Sequence, residues 1–409
     1  MSEVAQAPQL RFPEFSGEWE EKRFDSLYPT VRNGFVGVAT PYYVEEGVPY
    51  LQGKNIKSGA INRNGLVYIN ESFHQKSKKS QLRQNDIVMV QSGHVGECAV
   101  ITEEFEDTNC HALLVSTPTH DIDSKFYINY FYSKFGRKKI YRITTGNTIK
   151  HILSSDLKIQ TVSNPSYQEQ QKIAAFLTAV DTKIEQLSKK QELLGEYKKG
   201  SMQQIFSQAI RFKADDGSEF PEWKERRLGD VCSKAKSGGT PRSTTKEYYD
   251  GDIPFLAISD ITRQGKYLTS ASKKISQLGI DNSASWIVPI DTIIYSMYAS
   301  VGFVSINKIP LATSQAVINL IVKDGYSIEF IYYHLIEVKK TIHKFIETGT
   351  QGNLNAQTVK SLILNIPSLP EQAKIANFLS SIDNKIEQVG KQLDESKQFK
   401  KALLQQMFV

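Results

Sequence analysis

The chain has 409 residues, with 50 Lys and Arg against 44 Asp and Glu, a formal net charge of +6 that permits nucleic-acid binding without requiring it. Its length favours two or three domains, and 40% hydrophobic with 23% charged residues exclude wholesale disorder. No stretch approaches ~18 consecutive apolar residues, so we expect no membrane partner. A polar N-terminus and only three cysteines predict a reducing, cytoplasmic location.

The globular parts of the chain contain mixed elements. Residues 86–90 and 112–115 are short β-branched runs that predict strands, and residues 126–141 are aromatic, lysine-rich and spaced as a helix. The same elements recur as strands at residues 292–295 and 317–322 and as a helix at residues 329–346. These patterns predict an α+β domain with a mixed, irregular β-sheet and packed helices, present twice.

A helical segment with an apolar heptad seam follows each globular part. The a/d repeat predicts two long helices that form an antiparallel coiled coil. The alternative is an amphipathic helix on a globular core, although ~40 residues, near 60 Å, exceed what a small domain usually covers. Polar seam positions at Gln191 and Ser396 indicate that the register is specified, and Lys400 interrupts the seam. The residues expected to pair are Ile173, Leu177, Val180, Ile184, Leu187, Leu194, Ile375, Leu379, Ile382, Ile386, Val389 and Leu393.

These helical segments are copies of one another. Residues 169–206 and 371–408 share 18 identities in 38 ungapped positions, including polar ones, which favours duplication over convergence. The repeat extends into the globular parts, where Trp19 corresponds to Trp223. It predicts four regions, with a globular part at 1–165, a helix at 166–207, a second globular part at 208–368 and a second helix at 369–409.

Candidate catalytic and metal sites are weak. Asn164-Pro-Ser-Tyr167 is similar to the adenine-orienting box of DNA methyltransferases, but no glycine-rich cofactor turn precedes it, so we interpret it as a loop that leads into a helix. There is no nucleotide-binding Gly-x-x-x-x-Gly-Lys-Ser/Thr motif. Cys98, Cys110 and His111 lack metal-ligand spacing and are interpreted as core residues. We therefore predict no catalytic residue and no metal ligand in this chain.

Binding candidates are better supported. A basic helical stretch at residues 137–142 leads into a Gly/Asn/Thr loop, and residues 339–344 lead into a similar loop in the second copy. Such a face can meet phosphates while amide side chains reach base edges, although a solvated helix face and a polar turn would have the same sequence. The DNA-binding candidates are Lys54, Asn55, Ser92, His94, Arg137, Lys138, Lys139, Arg142, Thr145, Asn147, Lys150, Ser259, Tyr298, Lys339, Lys340, Lys344, Thr350, Gln351 and Asn353.

The whole chain resembles the specificity subunit of type I DNA restriction–modification enzymes. The resemblance rests first on a helix motif, Glu-Gln-x-Lys-Ile-Ala-x-Phe-Leu with Asp-x-Lys-Ile-Glu, which occurs at residues 169–185 and 371–387. It rests second on Ser237-Gly-Gly-Thr-Pro241 with Gly251-Asp-Ile-Pro-Phe255. The first half departs from the glycine-threonine-proline turn and has Asn33-Gly-Phe-Val-Gly37 instead.

The resemblance implies a non-catalytic DNA-binding subunit of a restriction system. Each globular part would be a target recognition domain for one half of a split site in double-stranded DNA, and the helices would set the spacer and dock two methyltransferase (M) subunits. Motor-nuclease (R) subunits would complete the complex. S-adenosylmethionine, ATP and Mg would belong to these partners, with no cofactor in this chain. The alternatives are an unrecognised fused DNA methyltransferase or nuclease, and a coiled-coil scaffold with two heads that do not bind DNA.

Overall fold

The computed structural model describes residues 7–298, 300–345 and 354–409. The chain forms two compact units, of which unit 1 comprises residues 1–189 and 390–409 and unit 2 comprises residues 190–389. Each unit therefore combines one globular head with one part of each long helix.

Head 1, the globular part of unit 1, consists of short strands and short helices. Its strands are β1 (Glu20–Arg23), β2 (Thr30–Asn33), β3 (Tyr43–Val44), β4 (Val48–Leu51), β5 (Ile56–Lys57), β6 (Ala60–Ile61), β7 (Val67–Ile69), β8 (Ile87–Val90), β9 (Cys98–Val100), β10 (Asn109–Cys110), β11 (Leu113–Thr117) and β12 (Thr161–Asn164). Its helices are α1 (Phe24–Leu27), α2 (Glu71–Lys76), α3 (Ser124–Tyr132), α4 (Lys134–Arg142) and α5 (Ser154–Ile159).

The central sheet of head 1 has the order β2-β11-β8-β9 and is antiparallel throughout. Successive side chains of a strand point to opposite faces. Ile87 and Met89 accordingly join the core that contains α3, whereas Val88 and Val90 join a second core on the other face. A neighbouring sheet, β10-β4-β7-β3, includes a parallel pair, so the predicted mixed and irregular sheet character is confirmed.

Head 2, the globular part of unit 2, repeats this plan. Its strands are β13 (Lys224–Arg227), β14 (Cys232–Ser237), β15 (Ile253–Leu256), β16 (Tyr267–Leu268), β17 (Lys273–Ile275), β18 (Ile287–Val288), β19 (Ile293–Ser296), β20 (Val304–Asn307), β21 (Leu311–Thr313), β22 (Val317–Val322) and β23 (Ile363–Ile366). Its helices are α7 (Ile258–Gln264), α8 (Gln277–Asp281), α9 (Ile328–Val338) and α10 (Ala356–Ser361). The central sheet has the order β14-β22-β19-β20-β16.

One predicted helix is divided in the structure. The helix expected over residues 126–141 is broken at Ser133, whose extended backbone ends α3 and whose hydroxyl accepts a hydrogen bond from the Gly136 backbone N–H. A serine cap starts a new helix at a position that the apolar spacing alone cannot reveal. The break separates the basic helix α4 from the buried helix α3.

The two long helices are α6 (Tyr167–Phe206) and α11 (Leu369–Gln406). In unit 1 the first turns of α6 pack with Leu403 and Met407 near the end of α11, and in unit 2 the first turns of α11 pack with Met202 and Ile205 near the end of α6. The helices therefore pair antiparallel, as predicted. All twelve predicted seam residues are buried or half-buried. Pro370 lies in the first turn of α11, where proline is tolerated.

Two ion pairs join the helices at equivalent positions of the repeat. Lys400 Nζ lies 2.6 Å from Asp181 Oδ1 in unit 1, and Lys198 Nζ lies 2.5 Å from Asp383 Oδ1 in unit 2. Asp181 corresponds to Asp383 in the repeat, and Lys198 corresponds to Lys400. The interruption of the seam at Lys400 is therefore a polar contact between the helices, which helps to fix their register.

The repeated Glu-Gln at the start of each long helix holds the adjoining head. Arg11 makes a two-pronged ion pair with the buried Glu169, in which both N···O distances are 2.7 Å. Arg211 likewise makes a two-pronged ion pair with the buried Glu371. The next residue, Gln170, accepts a hydrogen bond from the backbone N–H at the N-terminus of α3 and donates to the Pro165 carbonyl.

Gln372 makes the two equivalent bonds, to the backbone N–H of Ser327 at the N-terminus of α9 and to the Pro367 carbonyl. One set of contacts made twice explains why these polar identities are retained in both copies.

No helix in the described ranges is long and apolar enough to cross a membrane.

Candidate nucleic-acid interface

Six of the predicted DNA-binding residues line one cleft of head 1. This recognition cleft has a volume of about 1030 Å³ and lies between the loop after β8, helix α4 and the segment after β4. The six residues come from four separate stretches of sequence that the fold brings together, and they are Lys54, Ser92, His94, Arg137, Lys138 and Lys150. All six are exposed or half-exposed.

Backbone hydrogen bonds join the two loops that form the rim of the recognition cleft. Gly93 N–H donates to the Lys150 carbonyl at 3.2 Å, and Ile152 N–H donates to the Gln91 carbonyl at 2.9 Å. Thr145 and His151 exchange a further pair of backbone bonds that closes the Gly/Asn/Thr loop. Two segments that the sequence presents as unrelated candidates therefore form one surface.

A glycine allows helix α4 to approach this rim closely. Gly96 has a φ of +84°, and a Cβ atom there would lie 2.9 Å from a methyl carbon of Ile140 in α4. The left-handed backbone and the close approach both require glycine. Gly302 has the same conformation in head 2, with a φ of +77°, so the turn recurs.

Arg137 is held at the edge of the cleft by a half-buried network. Its guanidinium donates to Glu97 Oε1 at 2.9 Å and lies 4.5 Å from the centre of the Tyr132 ring. Glu97 Oε2 accepts from the Ser58 backbone N–H and from the Tyr132 hydroxyl. Burial alone would raise the pKa of Glu97, but these hydrogen bonds outweigh it and the pKa is lowered. Arg137 is thus positioned and partly neutralised, whereas Lys138 extends into solvent.

The structure places five further head 1 candidates differently. Arg142, Thr145 and Asn147 are exposed on or next to the Gly/Asn/Thr loop, outside the lining of the cleft. Asn55 is withdrawn as a DNA contact, because its fully buried amide donates to the carbonyls of Asn62 and Asn64. Lys139 is withdrawn as well, because its ammonium donates to Glu21 at 2.8 Å, away from the cleft.

Three of the four described head 2 candidates are exposed, and Lys339 is half-buried. Ser259 is exposed in α7 and Tyr298 is exposed in the loop after β19. Lys339 has its ammonium 3.1 Å from the centre of the Phe303 ring, and burial lowers its pKa. Lys340 pairs with Glu337 in the preceding helical turn. The remaining four candidates lie outside the part of the chain whose side chains the structure describes, and they are Lys344, Thr350, Gln351 and Asn353.

Two cleft residues were missed by the sequence analysis. Tyr141 is 70% exposed beside the cleft, with Lys150 Nζ 5.1 Å from its ring centre, and Lys57 lines the opposite wall. Tyr141 lies within the basic stretch that the sequence singles out, and an exposed aromatic among cations is a signal for nucleic-acid contact. Lys57 has no comparable signal, since it is the last residue of the short strand β5 in a polar segment.

The weak catalytic candidates have structural roles in head 1. Asn164 accepts hydrogen bonds from the Tyr127 hydroxyl and the Gln170 amide at the loop that leads into α6. Cys98 and Cys110 are buried free thiols whose pKa is raised by burial. Across the described ranges, no group of three or more His, Cys, Asp or Glu side chains is arranged to hold a metal ion.

The chain is similar to known specificity subunits. It is 32% identical over 193 residues to the type I restriction enzyme MjaIX specificity subunit of Methanocaldococcus jannaschii, a match that covers 46% of this chain and 44% of that relative. It is 23% identical over 412 residues to the MjaVIII specificity subunit of the same organism, which covers 97% of this chain and 92% of the relative. The chain thus spans less than half of the first relative and nearly all of the second.

The fold is similar to that of a solved structure over almost the full chain. The S subunit of the type I restriction–modification system from M. genitalium matches with a TM-score of 0.62 at 19% identity, covering 99% of both chains. The family profile described as the type I restriction modification DNA specificity domain matches residues 16–194 and again residues 221–396. The chain therefore belongs to the type I restriction–modification DNA specificity family, as a non-catalytic specificity subunit with two copies of the domain.

Proposed function

We propose that each head reads one half of a split double-stranded DNA target while the helix pair sets the unspecified gap. The observation that carries this proposal is the recognition cleft of head 1. There a basic helix, a glycine-bent loop and a polar loop form one surface with exposed cations and polar side chains. Cations position a protein on phosphates, and polar side chains on loops can reach base edges.

The same arrangement in head 2 supports one task for each head. Leu354 N–H donates to the Met297 carbonyl at 3.0 Å, which repeats the bond from Ile152 to Gln91. The frame is thus shared, while the side chains carried by the two frames differ. Different side chains on one frame are what a protein needs to read two different half-sites.

We further propose that the helix pair docks two methyltransferase subunits, with motor-nuclease subunits joining the assembled complex in the cytoplasm. A similar solved chain, with a TM-score of 0.55, comes from a structural study of complex assembly and conformational transition of the type I R-M system. In such a complex the methyltransferase partner supplies the S-adenosylmethionine site, and the motor supplies the site for ATP and Mg. This chain contributes the recognition surfaces.

An exchange of heads tests the proposal. Residues 25–160 are replaced by the corresponding part of a relative with another target, and methylated adenines are mapped in DNA modified by the assembled enzyme. We expect one half-site to change while the other half and the gap stay the same. The matched control exchanges residues 229–362 and should change only the other half. A change of both halves by either exchange would contradict independent recognition.

A further inference from the structure

A second groove in unit 1 opens beside the recognition cleft, between head 1 and the helix pair. It has a volume of about 1020 Å³ and is lined by head residues and by turns of both long helices. The groove and the cleft share Lys57, Ser58, Glu97 and Arg137 along their common edge. Whatever occupies the cleft can therefore continue into this second space, which we call the lysine groove.

The lysine groove carries cations that have no anionic partner among the residues that the structure describes. Three ion pairs neutralise three of its acidic side chains, namely Glu104, Glu97 and Asp181. Glu185 is its one remaining carboxylate. Five exposed lysines on both walls have no ion pair among the described residues, and they are Lys57, Lys125, Lys134, Lys397 and Lys401.

Two of these lysines repel each other on one helix face. Lys397 and Lys401 lie four residues apart in α11, a spacing that places like charges side by side and destabilises a helix. Lys400 lies between them and is already paired with Asp181. An anion bound in the groove would relieve this repulsion.

Unit 2 keeps only one of three compared groove lysines at the equivalent positions, with Lys199 in the place of Lys401. The repeat places Gly195 where unit 1 has Lys397, and the equivalent N-termini of α3 and α9 place Glu329 where head 1 has Lys125. The cationic groove is thus a property of unit 1 and not of the shared frame.

In unit 2 a lysine of the head fills the corresponding place. Lys266 Nζ donates to the Tyr333 hydroxyl at 3.0 Å and to Ser380 of α11 at 2.9 Å. Tyr333 donates in turn to Asp383, which also pairs with Lys198. These cations are therefore engaged with protein groups, whereas the lysines of the groove in unit 1 point to solvent.

We propose that the lysine groove binds the sugar–phosphate backbone of the unspecified DNA next to the first half-site, an inference that rests on the proposed function. Bases in the gap are not read, so contacts there need only charge, and lysine ammonium groups supply it. Continuity with the recognition cleft favours DNA over an acidic segment of a partner protein. Sequence-independent affinity is consequently contributed mainly by unit 1.

The test neutralises the groove in the full-length chain assembled with its methyltransferase subunits. The variant carries Lys125→Gln, Lys397→Gln and Lys401→Gln, and DNA affinity is measured across a salt series on a target duplex and on an unrelated duplex. We expect the slope of log K against log salt to become shallower by about 0.9 per lost phosphate contact, up to about 2.7 in total. The loss should be equal on both duplexes, and the methylated bases should be unchanged.

Two controls make the test specific. Lys199→Gln, at the unit 2 position equivalent to Lys401, should leave the slope unchanged, and lysine-to-arginine changes at the three groove positions should preserve it. An unchanged slope in an intact complex carrying the triple glutamine variant overturns the proposal. The proposal is also overturned if the triple glutamine variant no longer assembles with the methyltransferase subunits while its slope of log K against log salt is unchanged. That result would assign the groove to a protein partner. If the unmodified complex shows no sequence preference, the proposed function itself fails.

Discussion

Unit 1 and unit 2 make the same contacts where the head meets the helix pair and different contacts at the candidate DNA loops. Both units contain the buried Arg–Glu ion pair and the glutamine that accepts a hydrogen bond from the N-terminus of α3 or α9. Both also contain a tryptophan packed on a phenylalanine. In head 1, by contrast, Lys138 is exposed at the cleft, whereas Lys339 and Lys340 of head 2 are held by Phe303 and Glu337. Identity is retained where one contact is made twice, and the loops diverge where each head has its own target.

Removing one copy of the shared frame should have the largest effect. A fragment of residues 1–207 lacks α11 and also Phe408, which follows α11 and packs on Trp19 and Phe126 in the core of unit 1. Exposing that core is unfavourable at about 25 cal/mol per Å² of apolar surface. We expect a symmetric dimer in which Phe206 of each copy, the repeat equivalent of Phe408, fills the place in the other.

Sedimentation and methylation mapping check this fragment. With methyltransferase subunits the dimer should select a palindromic split site made of the first half-site twice. It should be less stable than the native pairing, because the polar seam position Gln191 would then meet the seam of an identical helix. A stable monomer, or modification of the original asymmetric site, would show that the helices pair in another way.

Loss of a buried ion pair should affect the two units equally. Arg11→Ala leaves Glu169 buried without its partner, and Arg211→Ala does the same to Glu371, with side-chain exposures of 2% and 0%. Each change should cost about 3–5 kcal/mol in the free energy of unfolding, measured by urea denaturation of the full-length chain. The exposed pair of Arg23 with Asp25 is the control, and Arg23→Ala should have a far smaller effect on the free energy of unfolding, because solvent screens an exposed pair. A clearly unequal effect of the two buried pairs would break the comparison.

Acid should weaken unit 2 more than unit 1. His334 of α9 is buried with its ring 4.7 Å from that of Phe206, and burial lowers its pKa from 6.5 to about 3. Because the unfolded chain takes up the proton first, stability falls as the pH drops from about 6.5 towards 3, by about 2 kcal/mol at pH 5. The equivalent residue of head 1 is Tyr130, which does not titrate there. Denaturation at pH 7 and pH 5 should show this loss in the unmodified chain and not in His334→Phe.

The repeated aspartates of the helix pair should show a smaller difference. Among the described residues, Asp181 of unit 1 pairs only with Lys400, while Asp383 of unit 2 accepts from Lys198 and also from Tyr333 at 2.6 Å. Asp383→Asn should therefore cost about 1.5–3 kcal/mol and Asp181→Asn at most about 1 kcal/mol. Thermal denaturation of both variants measures the difference. Equal costs would mean that the bond to Tyr333 contributes nothing.

Local periodicity predicted the frame well, because heptad spacing and β-branched runs depend on neighbours in sequence. Contacts between distant residues were less accessible. Lys400 interrupts an apolar seam, and only the opposite helix reveals that Asp181 receives it. Lys139 has the same charge as Lys138 but pairs with Glu21, 118 residues away. The burial of Asn55 likewise depends on a loop that folds over it, so the candidate site could be located from sequence but not resolved side chain by side chain.

The most direct test of the central claim maps methylated adenines in DNA modified by the assembled enzyme, before and after both helices are lengthened. Four residues are inserted after residue 189 and after residue 391, which are equivalent positions of the repeat. The added rise of ~6 Å per helix corresponds to about two base pairs. We predict an asymmetric split site whose halves keep their sequences while the gap lengthens. Recognised bases that change, or a gap that stays the same, would contradict two independent heads held apart by the helix pair.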